Sequence, residues 1–484
     1  MNFPLILYYI CTMLKVEAAA LLPSVFISLA NGETKSALAF LITFAVTLAA
    51  GFAHVLKKPK NRTMRVKDGF VIVSVSWIVL SAFGALPFVL SGSIPSYVDA
   101  FFETVSGFTT TGATILTDVE ILPKGVVYWR SFTNWLGGMG VLVFVLALMP
   151  KAAGSSGHIF AMRAESPGPT SDKLTPKLKN TAVTLYIIYA AMTVVIVILL
   201  LCGGMSVLDS FIHAFSTAGT GGFSSRNLSI GGWNSKYLQT VIAVGMALFG
   251  VNFSLYYALI NRRIKDILRD SEFKAYVIIM VAVALIIALN IKGMFAGFGE
   301  ALHHSFFQVS SIMTSTGFAT VDFDLWPAFS KLLLLGLMFV GASAGSTGGG
   351  MKVIRLLLLI KAARASVAQK LHPTRVKAVR LNGKPVSDDL VKGVLEYFAV
   401  YMLILAAVTV VISIDCNDIL SSFTAALTTL NNIGPGLSQV GPACNFSALS
   451  DLSKIVLSAS MLLGRLEIYP ILILFCRSTW KKAG

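Results

Sequence analysis

Four short turns of similar make-up are spread along this 484-residue chain: Thr110-Thr111-Gly112-Ala113, Gly219-Thr220-Gly221-Gly222, Ser315-Thr316-Gly317-Phe318 and Asn432-Ile433-Gly434-Pro435. Each follows an amphipathic stretch and lies between two long apolar segments, and Gly112, Gly221, Gly317 and Gly434 recur at intervals of roughly 100 residues. A soluble core gives no reason for such a recurrence. An axis shared by four turns does, because glycine reaches the positive-φ conformations that aim carbonyls inward, and rings of carbonyls can replace the water around a small cation.

The composition supports a membrane setting. With 55% hydrophobic and 13% charged residues and a mean hydropathy of +0.77, the chain has more apolar surface than one soluble core can hide. Ten stretches are long enough to cross a bilayer: residues 4–30, 37–56, 69–91, 126–149, 181–203, 237–260, 275–292, 328–360, 391–414 and 453–476. The first lacks the basic start and small-residue site of a cleavable leader and is expected to persist as an anchor, with Lys15 and Glu17 as a mutually compensating pair inside it.

The net charge of +16 is not spread as nucleic-acid binding would need. Most of the 39 lysines and arginines fall at 57–67, 151–179, 262–274, 355–384 and 477–482, all on one side if the ten spans alternate. The positive-inside rule makes that side, and both termini, cytoplasmic in a multi-pass inner-membrane protein. The opposite side carries the four turns and collects Glu33, Asp99, Glu103, Asp118, Glu120, Asp209, Glu300, Asp322, Asp324, Asp415, Asp418 and Asp451. These acids can form a cation-concentrating mouth or serve as helix caps.

The expected fold is an all-α polytopic membrane protein with two leading helices, 1–67, and four helix–pore loop–helix repeats in pseudo-fourfold array about one pore. The repeats run 68–150, 172–263, 264–366 and 385–484. Helices too short to span, at 97–106, 208–216, 302–311 and 418–429, precede the turns, and Phe101, Phe306 and Phe423 stand eleven residues before the glycine in three of them. Non-helical backbone at membrane depth persists only where it lines a cavity or is buried in protein.

These four turns, in this order and spacing, resemble the membrane subunit of the Trk/Ktr/HKT superfamily of potassium transporters. The two leading spans give it the look of the TrkH/TrkG type. The likeness covers essentially the whole chain, through residues 107–114, 215–224, 315–320 and 431–436. It implies a central potassium pathway and a homodimer in the membrane, regulated by a cytoplasmic TrkA-like nucleotide-binding ring. It also implies that glycine at 112 marks potassium rather than sodium transport. Potassium would bind at Thr110, Thr111, Gly112, Gly219, Thr220, Gly221, Ser315, Thr316, Gly317, Asn432, Ile433 and Gly434. No organic cofactor is expected on this chain; the nucleotide belongs to the partner. One glycine position common to four unlike walls predicts modest discrimination against sodium.

A second constellation lies within 328–360, where Gly341, Gly345, Gly348, Gly349 and Gly350 are too dense for a regular helix. Met351 after Gly350 breaks the phosphate-loop pattern. A loop wedged beneath the filter, or close helix packing through small residues, remains. The resemblance places a gate here, so Gly345, Ser346, Thr347, Gly348, Gly349 and Gly350 are the candidate gate residues. Arg465, deep in the last span, needs a partner, and the carbonyls or hydroxyls of this loop are expected to supply it rather than Glu467. Arg130 is expected to snorkel or to pair with an acid of the mouth.

His213, His303 and His304 lack the companions of a metal site. Cys416 and Cys444 flank the fourth turn on the non-cytoplasmic side, where a disulfide could form. No nucleophile motif, paired-carboxylate site or phosphate loop suggests an enzyme. The repeats run parallel and Arg465 is the principal deep charge, which favours a channel-like pore over a proton- or sodium-coupled symporter. The basic loop 355–384 suits docking of the ring or of anionic lipid.

Overall fold

A computed structural model describes residues 1–53, 65–140, 178–372 and 378–480, with side chains from 183 in the third of these segments. Lys57, Lys58, Lys60, Arg62, Pro373, the second half of the expected span 126–149 and most of the basic cluster 151–179 lie outside the described residues.

Two leading helices, Phe3–Ala30 and Thr34–Gly51, pack as an antiparallel hairpin against the first repeat. Each repeat then opens on a long apolar helix: Val66–Ser91, Leu178–Cys202, Ser271–Ile291 and Asp388–Ile412. Large apolar side chains such as Ile198, Ile278, Leu403 and Val410 stand exposed on these helices, as contact with lipid requires. The pore helices follow as Tyr97–Phe108, Val207–Gly219, Phe298–Met313 and Ile419–Leu430. At about 1.5 Å per residue none of them can cross about 30 Å of hydrocarbon. Ser96, Ser206 and Asp418 cap three of them by accepting from backbone N–H groups of the first turn. In the third, Glu300 reaches back to the Ala296 N–H instead.

The second helices of the second and fourth repeats depart from the expected continuous span, that of the third is interrupted as its glycine cluster predicts, and that of the first ends at Gly138, short of the undescribed residues. Lys124–Gly138 ends below the first turn, and Lys236–Phe249 and Phe253–Ile260 meet at 92°. Ala328–Val340 gives way to an irregular stretch before Val353–Leu371, and Asp451–Arg465 is separated from Tyr469–Phe475 by residues that include left-handed Glu467 and Ile468. Six helices are long and apolar enough to cross a membrane among the described residues, seven if the bent pair is one span. The ten expected spans counted broken segments as whole ones. Hydropathy averages over a window and does not register a break whose residues remain apolar.

The breaks have a steric cause. The end of each pore helix is pushed against the second helix, and small residues make room. A side chain on Gly137 would collide with the Phe108 carbonyl, one on Gly464 with that of Leu430, and one on Gly250 would stand 2.7 Å from Thr314.

Lys15 and Glu17 do not pair. The Lys15 ammonium lies 4.4 Å from the centre of the Phe52 ring, while the buried Glu17 carboxyl has no hydrogen-bond partner among the described residues.

Candidate ion pathway

The four pore helices end alike. A residue just past each helix donates its N–H to the carbonyl five residues back, Thr111 to Ser106, Gly221 to Ser216, Thr316 to Ser311 and Ile433 to Thr428, at 2.8–2.9 Å. The residue before it bonds three back, Thr110 to Gly107, Thr220 to Thr217, Ser315 to Ile312 and Asn432 to Thr429. These are Schellman closures, and Thr110, Thr220, Ser315 and Asn432 hold the left-handed position at φ 55–57°. The glycine two residues further on is also at positive φ: Gly112 at 79°, Gly222 at 67°, Gly317 at 86° and Gly434 at 98°.

This register corrects the second turn. Gly222, not Gly221, matches Gly112, Gly317 and Gly434; Gly221 matches Thr111, Thr316 and Ile433, and Gly219 is the last residue of its helix. The GlyThrGlyGly run offers several glycines, and composition alone does not choose among them. One signal does. Counted from Gly222, Phe211 falls eleven residues back, which completes the series of Phe101, Phe306 and Phe423.

The turns close into a ring. A carbon added at Gly112 would collide with the Gly221 carbonyl, one at Gly222 with that of Thr316, one at Gly317 with that of Ile433, and one at Gly434 would meet that of Thr111. First wall touches second, second third, third fourth and fourth first. The carbon on Gly112 would also stand 3.6 Å from the Thr316 carbonyl of the opposite wall, so the space between walls is narrow. On one side of the ring a cavity of about 370 Å³ is lined by all four register glycines, Gly112, Gly222, Gly317 and Gly434. The carbonyl ends of four pore helices converge here, and helix C-termini carry the negative end of the dipole, which favours a cation.

On the other side of the ring lies the stretch 341–352. The Gly349 N–H donates to Ser315 Oγ of the third turn at 2.5 Å, and a side chain at Gly349 would collide with the Asn431 carbonyl. Gly345 O accepts from Phe253 N at 3.0 Å, the Ser343 N–H donates to Gly250 O at 3.1 Å and Thr347 Oγ1 to Phe249 O at 3.2 Å. Ser346 Oγ donates to Ser343 O, and Gly350 packs on Gly341. Buried Lys352 donates to the Gly348 carbonyl. The expected loop therefore sits against the ring of turns and on the bend of the second repeat.

Arg465 reaches this loop as its depth predicts. Its Nη1 donates to Thr347 O at 2.9 Å and to Thr110 Oγ1 at 3.1 Å, while Nη2 donates to the carbonyls of Gly137 and Gly138. Glu467 instead pairs with Arg355, whose guanidinium lies 4.1 Å from the centre of the Tyr397 ring. Composition gave no hint of a further group, Glu272. Its Oε1 accepts from Ala344 N at 2.7 Å and Ile354 N at 3.1 Å, so one buried carboxylate holds both ends of the loop.

The acids on the filter's cavity side are mostly engaged. Asp99 pairs with Lys454 at 2.6 Å, Glu103 with Arg130, Glu120 with Arg226 and Asp324 with Lys331. Hydrogen bonds from Ser421 hold Asp418, from Ser450 hold Asp415, and from Asn227 hold Asp118 below the usual carboxylate range. Only Asp322 among them lines the cavity, beside Arg130 and Arg226. Capping and pairing account for this set better than an open acidic mouth does. His213 bonds Asp209 O and Ser224 Oγ, His303 faces Gln239, and His304 faces Thr320. Cys416 and Cys444 are both free thiols, without the disulfide considered from sequence.

A chain of several apolar spans whose four short helices end in turns that close into a ring belongs to the class of polytopic membrane transport proteins. Residues 36–482 match the model of the TrkH family, described as a cation transport protein. The chain is 37% identical over 452 residues to the Trk system potassium uptake protein TrkH of Salmonella typhimurium strain LT2, covering 92% of each. It is 35% identical over 468 residues to the Trk system potassium uptake protein TrkG of Escherichia coli K12, covering 96% of this chain and 95% of that protein. The crystal structure of the potassium transporter TrkH from Vibrio parahaemolyticus superposes with a TM-score of 0.89 at 34% identity, covering 99% of this chain and 100% of that one. The chain belongs to the TrkH family of cation transport proteins.

Proposed function

We propose that this protein takes up potassium through a gated, channel-like pore. The closed ring of four turns, with its paired left-handed residue and glycine in each wall, is the observation that carries the reading. The names of the relatives, potassium uptake proteins of the Trk system, support the choice of ion. The permeating ion is held by carbonyls of the register positions, among them Thr110, Thr111, Gly112, Thr220, Gly221, Gly222, Ser315, Thr316, Gly317, Asn432, Ile433 and Gly434. Wall-to-wall differences in side chain leave fewer regular carbonyl rings than four identical subunits would make, so discrimination against sodium is modest.

The loop at 345–350 is the gate in this reading, and Arg465 both anchors it and opposes cations with its charge. The cavity faces outward and the basic segments face the cytoplasm, where a nucleotide-binding partner acts on a homodimer. The assignment is tested with purified protein in liposomes: rubidium should enter down its gradient, sodium more slowly, and an imposed proton gradient should change neither. Accumulation driven by the proton gradient would establish coupled symport instead. Arg465→Ala should raise the basal rate.

A further inference from the structure

Nine residues before the register glycines stand Glu103, His213, Gln308 and Ala425, one per wall. In the first wall Glu103 accepts from Thr114 Oγ1 at 3.0 Å and from Ile115 N at 3.1 Å, both just past Gly112. In the second, His213 Nε2 lies 3.0 Å from Ser224 Oγ, two residues past Gly222. Arg130 joins the two. Its Nε donates to Glu103, its Nη1 donates to Ser224 O at 3.3 Å, and its guanidinium lies 3.8 Å from the centre of the Phe223 ring. Both side chains are enclosed, at 3% and 0% exposure.

Among the described residues the equivalent positions of the other walls carry no buried ion pair. Gln308 is buried with neither amide atom bonded among the described residues, and Ala425 has no polar group. The fourth strand is tied locally by Leu437 N, which donates to Thr424 Oγ1 at 3.1 Å, and to the third repeat by Ser438 N, which donates to the part-exposed carboxylate of Asp324 at 2.9 Å. One buried ion pair thus fixes the strands that leave two adjacent filter turns, and it crosses between repeats.

We infer that Glu103 and Arg130 are a positioning pair that sets the spacing of the first and second walls and, through it, ion selectivity. This rests on the cation-pore reading above. Neither residue is one of the register positions that form the ring. The pair acts by holding the segments on which the carbonyls of Gly112 and Gly222 are mounted, and an orientation held by a fork-shaped guanidinium stacked on a ring is not reproduced by lysine.

A rival explanation makes the pair a matter of mouth charge, since Arg130 lines the cavity. The two differ in sign. Under the charge explanation, Arg130→Met and Glu103→Gln move the rubidium rate in opposite directions and leave the rubidium-to-sodium ratio unchanged. Under positioning, both single variants lower that ratio by between about tenfold and a hundredfold, the scale on which a displacement of about 1 Å acts at a built site. The double variant is then no worse than either single one, and Arg130→Lys recovers only part of the ratio.

The measurement is the rubidium-to-sodium flux ratio of full-length protein in liposomes, with monodispersity and thermal midpoint recorded for every variant. Unchanged ratios overturn the inference, as do opposite rate shifts at constant ratio. Should a single variant fail to fold, Arg130→Lys and the charge-neutral double variant carry the same test. Absence of rubidium flux in the unaltered protein would refute the pore reading instead.

Discussion

Threonine and serine are poor residues for the left-handed conformation, yet Thr110, Thr220 and Ser315 adopt it where glycine usually closes a helix. Their side chains explain two of the three. Thr110 Oγ1 accepts from Arg465 and Ser315 Oγ accepts from Gly349 of the loop, whereas Thr220 Oγ1 donates only to the carbonyl of its neighbour Gly219. Glycine at these sites relieves roughly 1 kcal/mol of backbone strain, less the entropy glycine loses on folding. Thr220→Gly should therefore raise the thermal midpoint. Ser315→Gly relieves the same strain but frees the Gly349 N–H, so it should raise basal rubidium flux; equal flux from Ser315→Gly and the unaltered protein would show that the loop does not lean on this hydroxyl. A side chain at Gly112 meets a harsher limit, because φ 79° and contacts to two other walls combine there. Gly112→Ser should abolish rubidium uptake while the protein still reaches the membrane, and retained uptake would remove Gly112 from the pathway. Sequence made the turns legible because hydroxyl and glycine types recur in them. It left the second register one residue off, since three glycines within four positions blur the count and only the distant Phe211 fixes it.

At the level of elements, hydropathy located the long first helices and the composition of the short pore helices marked them off. It missed the breaks in the second helices of the second and fourth repeats, since Val251 and Leu466 near them are as apolar as the helices beside them, whereas the glycine cluster at 341–350 made the break of the third legible. The breaks are consequences of packing between distant segments, such as Phe108 on Gly137 and Leu430 on Gly464. The clasp by Glu272 was illegible for the same reason: its partners Ala344 and Ile354 donate backbone N–H groups, which every residue has. Next to Glu272, Asp270 and Ser271 bond Asn382 of the short hairpin Arg380–Leu381 and Lys384–Pro385, at 3.1 and 2.8 Å. A movement of that hairpin is thus two residues from the carboxylate that grips the loop. Glu272→Ala leaves two buried N–H groups unpaired, a cost of about 1–3 kcal/mol each if nothing replaces the bonds, and shifts the loop toward conformations that solvate them. Basal rubidium flux through the isolated protein should rise severalfold. A lowered thermal midpoint with unaltered flux would assign Glu272 to stability alone.

For the molecule as a whole, the net charge of +16 and the one-sided collection of acids suggested a funnel that gathers cations before the filter. The folded chain spends those acids differently. Asp418 holds the start of a pore helix, Asp99 holds Lys454, and Glu120 holds Arg226, leaving one carboxylate and two arginines around the cavity. In the proposed pore, attraction for a cation is concentrated instead at the ring, where four helix C-termini and their carbonyls meet and ions screen little. The two arrangements respond differently to salt. An acidic funnel works over distances comparable to the Debye length, which shrinks from about 30 Å at 0.01 M to about 10 Å at 0.1 M, and its benefit would fade across that range. The ring is shorter in reach than either length. The rubidium concentration giving half-maximal flux should therefore change by less than about twofold when an impermeant salt is raised from about 0.01 to about 0.1 M. Asp322→Asn should leave that response unaltered. A steep loss of apparent affinity with salt, removed by Asp322→Asn, would return the gathering of ions to the mouth.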